Sequence, residues 1–256
     1  MERRIRRSDR IALFTDFDGT LAPLAHSPNH VQLEQVVRRS LTAIARRGVV
    51  VGVISGRKLS DIQARVGVRG IWYVGAHGYY LRRPGVSSLC LLTPVEKTEM
   101  SLIRRRLARR LRGISGILLE PKQATMAIHY RQASRQSCRM ALAIIEELLL
   151  EYPRLRLLHG KKVWELLPAS RVSKWTAIRR ILDAEKGKEK TRWLVFYLGD
   201  DTTDELVFSK MRGISIAVGK RSRTAAAFFL ESTREVPGFL DRLCDVLESY
   251  GGNPKP

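Results

Sequence analysis

Cysteine, long apolar runs and aromatic residues are scarce in this chain of 256 residues. The three cysteines, Cys90, Cys138 and Cys244, are far apart and odd in number, which excludes a disulfide framework and a Cys-x-x-Cys metal site. No apolar run approaches the ~18 residues that a membrane-spanning helix needs, so we expect no membrane span. The apolar run near the basic N-terminus ends at Phe14, too short for a signal peptide, and we expect a cytoplasmic location.

Acidic residues are also few, because 25 Asp and Glu stand against 46 Lys and Arg and leave a net charge of +21. A surface this basic attracts nucleic acid, anionic lipid or phosphorylated substrates. The arginines concentrate at residues 3–7 and 104–112, and those of the second segment also fit the solvated face of an amphipathic helix. With 7% aromatic residues and no RNA-recognition or zinc-finger pattern, we expect no specific nucleic-acid partner.

The order of predicted strands and helices indicates an α/β protein that carries an inserted unit. Nearly continuous apolar strands alternate with amphipathic helices before residue 80 and again after residue 168, as is typical of a parallel sheet. Between them the predicted order is αββαββ with hairpin-length connections. We therefore expect a Rossmann-like parallel-sheet core from residues 1–90 and 169–256, and an α+β domain from residues 91–168. Within the core, residues 223–230 are predicted to be helical.

Two acidic turns directly follow predicted buried strands. One is DFDGT, with Asp16 and Asp18, and the other is GDDTTDE at residues 199–205. Carboxylates at a strand end are costly to bury without a partner, and Mg2+ prefers oxygen ligands. The alternative is that both turns merely cap helices and complement the helix dipole. Because chemistry gathers at the carboxyl ends of parallel strands, the two turns together favour a divalent-cation site.

Two further segments suit a phosphate group. Ser55-Gly56-Arg57 follows the apolar strand VVVGVI and offers a hydroxyl and free backbone N–H groups at a helix N-terminus. Lys174 begins a predicted helix, where its charge opposes the helix dipole unless it faces an anion. An ordinary serine N-cap and a solvated surface lysine are the respective alternatives.

In this order, DFDGTL, SGR, a lone lysine and GDDTTDE resemble the four motifs of the haloacid dehalogenase superfamily of phosphohydrolases. More narrowly, the chain resembles the trehalose-6-phosphate phosphatases over residues 11–239. Three other segments are similar to that family's cap signatures: GAHG at residues 75–78, EPK…HYR at residues 120–131, and GK…E…P at residues 160–168.

The resemblance implies a role for each residue of the core motifs. Asp16 would be the nucleophile that forms an aspartyl-phosphate. Asp18 would be the general acid for the sugar leaving group and then the base for water. The residues implied to hold Mg2+ are Asp16, Asp18 (through its backbone carbonyl), Asp200 and Asp204, the last directly or through water. The residues implied to bind the phosphoryl oxygens are Ser55, Gly56 and Lys174.

The inserted αββαββ domain would then be a cap that excludes water and contacts the sugar. Its charged groups have the chemistry to bind disaccharide hydroxyls, and cross-strand ion pairing on a sheet face is the alternative reading. His77, in a loop between core and cap, is either a substrate contact or a structural histidine. The residues expected to contact the substrate are His77, Glu120, Lys122, Arg131, Lys161 and Glu165.

The reaction that the resemblance implies is Mg2+-dependent release of trehalose and phosphate from trehalose 6-phosphate. Another sugar phosphate, of the sucrose 6-phosphate, mannosyl-3-phosphoglycerate or phosphomannose type, suits the same core and cap. A non-enzymatic binder of nucleic acid or anionic surfaces is the remaining alternative. A trehalose-6-phosphate synthase, which would supply the substrate, is the expected functional partner.

Overall fold

The structure, a computed structural model, describes residues 1–24, 31–122, 124–160, 162–186, 191–219 and 223–249. The chain divides into two compact units: Met1–Leu89 together with Ser173–Pro256, and Cys90–Val172. Each unit has its own hydrophobic core, as expected of separately packed domains. The sequence predicts the inserted unit at residues 91–168.

The described residues form eight α-helices and twelve strands. The helices are α1 (Glu2–Ile5), α2 (Gln35–Arg46), α3 (Leu59–Val66), α4 (Pro94–Arg110), α5 (Arg135–Glu151), α6 (Lys174–Glu185), α7 (Thr202–Lys210) and α8 (Val236–Ser249). The strands are β1 (Arg10–Thr15), β2 (Val50–Ile54), β3 (Trp72–Gly75), β4 (Tyr80–Arg82), β5 (Ser88–Cys90), β6 (Leu118–Pro121), β7 (Met126–His129), β8 (Leu155–Gly160), β9 (Val163–Pro168), β10 (Trp193–Gly199), β11 (Gly213–Val218) and β12 (Phe228–Leu230).

The larger unit is built on an eight-stranded sheet in the order β12-β11-β10-β1-β2-β3-β4-β5. The strands from β12 to β3 run parallel to one another, and β4 is antiparallel to β3. Strands β1, β2 and β10 are apolar over nearly their whole length because both faces of the sheet are buried. The predicted α/β fold class is therefore confirmed for this unit.

Amphipathic helices cover the sheet of the larger unit. Helix α2 buries one stripe at Val37, Leu41 and Ile44, the spacing at which an α-helix presents a single face. That stripe belongs to the same apolar cluster as the buried face of α8. The hydroxyl of Ser40 also donates to Oδ1 of Asp241 on α8 at 2.7 Å, which ties the two helices together.

The inserted unit is a four-stranded antiparallel sheet, ordered β6-β7-β9-β8, with α4 and α5 packed on one face. Its element order is αββαββ, so the predicted α+β arrangement is confirmed. Helix α4 begins at a capping box in which Thr93 and Glu96 bond reciprocally. On its exposed side, Arg106 and Arg110 pair with Glu151 and Glu147 of α5, as on the solvated face of an amphipathic helix.

The predicted helix at residues 223–230 is wrong. Phe228–Leu230 form a strand that pairs with β11, and the residues just before it are not helical. The N–H of Ala225 donates to Oε2 of Glu205 at 2.8 Å rather than to a helical carbonyl. Helix propensity is a weak preference, and pairing at the sheet edge overrides it here. The short strands β4 and β5 were not predicted either.

Among the described residues, no helix combines the length and the apolar character needed to cross a membrane.

Candidate functional site

Three neighbouring parallel strands of the larger unit each end in a predicted functional residue. Asp16 follows β1, Ser55 follows β2 and Asp200 follows β10. Strand β1 pairs with β10 on one side and β2 on the other, with Thr15 level with Leu198 and Val53. The three side chains therefore emerge at the same edge of the sheet, where parallel α/β sheets bind ligands.

Asp16 is buried and faces an equally buried lysine. The Lys174 ammonium lies 3.1 Å from Oδ1 of Asp16, and the two side chains are 2% and 7% exposed. Burial raises the pKa of Asp16 well above its ordinary value, and neighbouring carboxylates add to this effect against the opposing charge of Lys174. Burial alone would lower the pKa of Lys174, but the charges of Asp16 and Asp204 outweigh it and raise that pKa. Lys174 is thus held as a cation, and the solvated-lysine alternative is wrong.

Asp204 is held by four protein donors. Its Oδ1 accepts from Nζ of Lys174 at 2.7 Å and from the hydroxyl of Tyr197 at 2.5 Å. Its Oδ2 accepts from the N–H groups of Asp200 and Asp201 at 2.9 and 3.0 Å. These bonds match the acceptor capacity of a carboxylate, so Asp204 holds Lys174 and the acidic turn in position.

Asp200 approaches the Asp16 turn across a glycine. Gly19 has φ of +81°, and a Cβ there would lie 2.5 Å from Cγ of Asp200. Glycine therefore serves both the turn conformation and the close approach of the carboxylate. The Thr20 hydroxyl donates to Oδ1 of Asp200 at 3.3 Å. Burial, reinforced by the charges of Asp204 and Asp201, raises the pKa of Asp200 to about 7.

These acidic groups suit a divalent cation. Oxygen atoms of Asp16, Asp200 and Asp204 lie within 4.8 Å of one another. Together with Asp201, they place four described carboxylates around the Lys174 ammonium. Burying that much negative charge is unfavourable without a further cation, and an oxygen-only donor set suits Mg2+.

Asp201 has a structural role beside this cluster. Its Oδ1 accepts from the N–H and the hydroxyl of Thr203, at 2.7 and 2.5 Å, and it is the N-cap of α7. Burial would raise the pKa of Asp201, but the charge of Lys174 and the bonds from Thr203 lower it to about 2. Helix capping, the alternative considered for the whole turn, is thus correct for this residue.

Asp18 forms a bidentate ion pair with Arg57 of the SGR segment. The sequence analysis gave Arg57 itself no role. The Nε and Nη2 atoms of Arg57 donate to the two oxygens of Asp18 at 2.7 and 2.6 Å. The Nη1 atom of Arg57 donates to Oδ2 of Asp61 at 2.9 Å. An arginine followed four residues later by an acid at a helix start was the signal available in the sequence. Tyr197 was also missed, and nothing in an apolar strand distinguishes it beforehand.

Ser55 and Gly56 form a tight turn after β2. Ser55 is buried, and its hydroxyl oxygen accepts from the N–H of Arg57 at 3.1 Å. His77 packs directly over this turn, since a Cβ at Gly56 would lie 2.6 Å from its ring. The backbone N–H of His77 donates to the Ser55 carbonyl at 3.1 Å, with φ of +57° at His77. His77 therefore packs on the Ser55–Gly56 turn and is hydrogen-bonded to it.

Two of the predicted substrate contacts in the inserted unit, Glu120 and Glu165, lie on one face of its sheet. Glu120, Ala127 and Glu165 are level across β6, β7 and β9, on the face opposite the packed helices. Oε1 of Glu165 accepts from Lys122 at 3.0 Å and from Thr125 at 2.7 Å. This pairing agrees with the ion-pair alternative and leaves the face polar.

Glu120 also contacts a side chain of the adjacent strand. Oε2 of Glu120 lies 2.9 Å from Nε2 of His129 on the neighbouring strand. Arg131 is exposed just after β7, and Lys161 lies outside the described residues.

A sequence profile of the trehalose-phosphatase family matches residues 14–234. The chain belongs to the trehalose-phosphatase family. All four core segments lie within or at the edges of the matched region, and the inserted unit lies inside it.

Two curated relatives illustrate the similarity of this family member to known proteins. A trehalose-phosphate phosphatase of Mycobacterium ulcerans is 33% identical over 254 residues, which cover 94% of this chain and 63% of the relative. A probable trehalose-phosphate phosphatase D of Arabidopsis thaliana is 28% identical over 258 residues, covering 93% and 68%. The chain thus spans less than two thirds of the length of the mycobacterial relative.

Solved structures share the fold of this trehalose-phosphatase family member. The C-terminal domain of Candida albicans trehalose-6-phosphate phosphatase matches with a TM-score of 0.76, covering 95% of each chain at 21% identity. A trehalose-6-phosphate phosphatase related protein matches with a TM-score of 0.77 at 19% identity, covering 93% of this chain and 99% of the other. At these identities the likeness concerns the fold.

Proposed function

We propose that this protein is a Mg2+-dependent phosphatase that hydrolyses trehalose 6-phosphate to trehalose and phosphate through a phosphorylated Asp16. The observation that carries the proposal is the buried Asp16–Lys174 pair at the strand edge where Ser55 and Asp200 also emerge. A buried carboxylate beside a fixed cation and a serine–glycine turn suits nucleophilic attack on phosphorus.

Asp16 supplies the nucleophilic oxygen. Lys174 contacts its Oδ1, which orients the carboxylate and offsets negative charge as the phosphoryl group arrives. The carboxylate attacks phosphorus, and the sugar oxygen leaves with a proton from Asp18. Water then attacks the phosphorylated Asp16, and Asp18 takes the proton of that water, so that phosphate leaves and Asp16 is regenerated.

The phosphoryl oxygens are bound by the Ser55 hydroxyl, the backbone N–H of Gly56 and the Lys174 ammonium. Mg2+ would be held by Asp16, Asp200 and the backbone carbonyl of Asp18. The oxygens of Asp204 already accept four bonds, so Asp204 would support the metal site by fixing the N–H groups of the turn that carries Asp200. When bound, Mg2+ offsets the negative charge of the transferring phosphoryl group.

The substrate assignment rests on the family and on the polar sheet face of the inserted unit. We infer that this unit is the cap and that its charged groups bind sugar hydroxyls. The sugar contacts proposed are His77, Glu120, Lys122, Arg131, Lys161 and Glu165. Supply of the substrate by a trehalose-6-phosphate synthase and a cytoplasmic location are part of the same proposal.

A substrate panel tests the proposal. Phosphate release is measured with trehalose 6-phosphate, sucrose 6-phosphate, mannosyl-3-phosphoglycerate and mannose 6-phosphate, each with Mg2+ and with EDTA. We expect turnover of trehalose 6-phosphate to be highest and to be lost in EDTA. Asp16→Asn should abolish it, whereas Asp183→Asn, at an exposed pair with Lys186, should not. A preference for another sugar phosphate would overturn the substrate assignment. Full activity of Asp16→Asn would overturn the proposed mechanism.

A further inference from the structure

The guanidinium of Arg57 holds both oxygens of Asp18 in one plane. Its Nε and Nη2 atoms donate to Oδ2 and Oδ1 at 2.7 and 2.6 Å, a side-on bidentate pair. Such a pair fixes direction as well as distance, because two parallel bonds leave the carboxylate no rotation about its axis. The Arg57 side chain is 12% exposed and that of Asp18 is 29% exposed, so water screens the pair only in part.

Arg57 is itself held in place by a second carboxylate. Its remaining Nη1 atom donates to Oδ2 of Asp61, one turn along α3, at 2.9 Å. Oδ1 of Asp61 in turn accepts from Nε of Arg65 at 2.8 Å. The guanidinium also lies 5.6 Å from the centroid of the Phe17 ring. Two contacts besides Asp18, to Asp61 and to the Phe17 ring, therefore hold the Arg57 side chain in place.

A second bidentate pair in the chain shows what is unusual about this one. Arg192 contacts both oxygens of Asp9 at 2.8 to 3.2 Å, but its side chain is 73% exposed. Exposed pairs of that kind contribute little to stability, because solvent and side-chain entropy offset the attraction. The Arg57–Asp18 pair is partly buried, and Asp18 is two residues along the chain from the proposed nucleophile, Asp16.

We propose that Arg57 is a positioning residue that aims the carboxylate of Asp18, and that Asp61 fixes Arg57 for this purpose. The inference rests on the proposed function, in which Asp18 serves as general acid and base. General bases must lie within hydrogen-bond reach of the proton that they accept, and a misplacement of about 1 Å can cost roughly 100-fold in rate. A lysine at position 57 keeps the charge but has no planar fork to orient a carboxylate.

An aryl phosphate separates the two roles of Asp18. Phosphorylation of Asp16 then needs no general acid, whereas hydrolysis of the phosphorylated Asp16 still needs Asp18 as general base. With p-nitrophenyl phosphate, Asp16 attacks phosphorus and p-nitrophenolate leaves with the bonding electrons, without a proton from the enzyme. Hydrolysis of the phosphorylated Asp16 still needs Asp18 to take a proton from water. A loss of Asp18 positioning therefore slows the second step and leaves the first unchanged.

Rapid mixing of p-nitrophenyl phosphate with the Mg2+-loaded protein tests this. For Arg57→Lys and Arg57→Ala, we expect the burst of p-nitrophenolate to keep its rate, while steady-state turnover falls about 10- to 100-fold. Phosphorylated Asp16 should accumulate in acid-quenched samples, as seen by mass spectrometry. Added guanidinium ion should restore part of the turnover of Arg57→Ala. Arg192→Lys, the matched control, should behave as wild type.

Asp61→Asn keeps both Arg57 and Asp18 and covers the case in which an Arg57 variant fails to fold. We expect a smaller fall in steady-state turnover, again with an unchanged burst rate. Equal slowing of burst and turnover, or unchanged turnover in all three variants, would overturn the inference and leave the proposed function standing. If the wild-type protein turned over no phosphate ester at all, the proposed function would fail as well.

Discussion

The ammonium of Lys174 lies 3.1 Å from Oδ1 of Asp16, and neither side chain is more than 7% exposed. The same ammonium lies 2.7 Å from Oδ1 of Asp204, whose own position depends on the acidic turn after β10. One buried cation thus joins the turns that follow two adjacent strands, and its loss would leave buried carboxylates unpaired.

Lys174→Met should therefore cost both stability and activity. Leaving Asp16 and Asp204 without their cation is expected to lower the free energy of unfolding by about 3–5 kcal/mol. Phosphatase activity should fall below detection, because the same group orients the proposed nucleophile. Urea unfolding followed by circular dichroism measures the stability. Lys186→Met, which breaks an exposed pair with Asp183, should change unfolding by less than about 1 kcal/mol. Equal effects of the two substitutions would contradict the role given to Lys174.

Asp200→Asn should separate metal binding from folding. Without Mg2+, replacing this partly buried carboxylate relieves repulsion, so Tm in EDTA should rise by about 2–4 °C, the shift that ~1 kcal/mol produces in a domain of this size. With Mg2+, the rise in Tm seen for wild type should disappear, since a ligand stabilises only a state that binds it. Activity should fall by more than the roughly 100-fold cost of losing an outer-shell partner of a metal.

The neighbouring Asp201→Asn is the control for that prediction. Asparagine caps helices as well as aspartate does, so α7 should persist and the Mg2+-induced rise in Tm should remain. Thermal unfolding and calorimetric Mg2+ titration of both variants provide the comparison. A retained Mg2+ response in Asp200→Asn would rule out Asp200 as a ligand.

Gly19→Ala should damage the metal site as well as the backbone. Gly19 has φ of +81°, and a Cβ there would overlap the carboxylate of Asp200. Gly70 has φ of +79° with nothing within 4 Å of its Cβ position, so Gly70→Ala isolates the backbone cost. We expect Gly70→Ala to lose about 1–2 kcal/mol of stability with normal Mg2+ binding. Gly19→Ala should lose more stability and should bind Mg2+ more weakly in a calorimetric titration. Equal stability and Mg2+ binding of the two variants would show that the Asp200 carboxylate moves aside for the added methyl group.

The contribution of Asp61 to stability should depend on pH. Burial would raise the pKa of Asp61, but hydrogen bonds from Arg65 and Arg57 lower it below its usual value of 3.8. A carboxylate with a lowered pKa stabilises the folded state above its unfolded pKa, and this contribution disappears as pH falls through the folded value.

At pH 7, Asp61→Asn should be less stable than wild type by about 1 kcal/mol or less, because the group is partly solvated. The difference should shrink as pH falls below about 4, as thermal unfolding of both proteins across pH would show. Asp183→Asn measures how much of the change comes from net charge alone. A difference that grew on acidification would have the wrong sign.

Much of the candidate site was predictable from local pattern. Asp16, Ser55 and Asp200 each stand at the end of an apolar run, and a parallel sheet brings such ends to one edge. Gly19, directly after Asp18, is a residue type that permits a tight turn, and it has φ of +81°. These predictions depend on residue order alone, because a continuous apolar run indicates a strand whose two faces are both buried.

Other features had no local signal. The alanines at residues 225–227 favour a helix, yet Phe228–Leu230 pair with β11, and only a neighbouring strand could decide that. Tyr197 reads as one more apolar strand residue, but its hydroxyl completes the bonds of Asp204. The ion pair between Arg57 and Asp18 connects the segment before α3 to the turn after β1.

The sequence by itself determined the α/β core, the inserted αββαββ unit and the acidic turns, because periodicity, glycine placement and strand ends are local properties. Only the tertiary structure decided which carboxylates Lys174 contacts, that the oxygens of Asp204 accept four protein hydrogen bonds, and that Arg57 pairs with Asp18. Those assignments depend on distances between segments far apart in the chain, and hydrogen bonds exist only where folding brings donor and acceptor to about 3 Å.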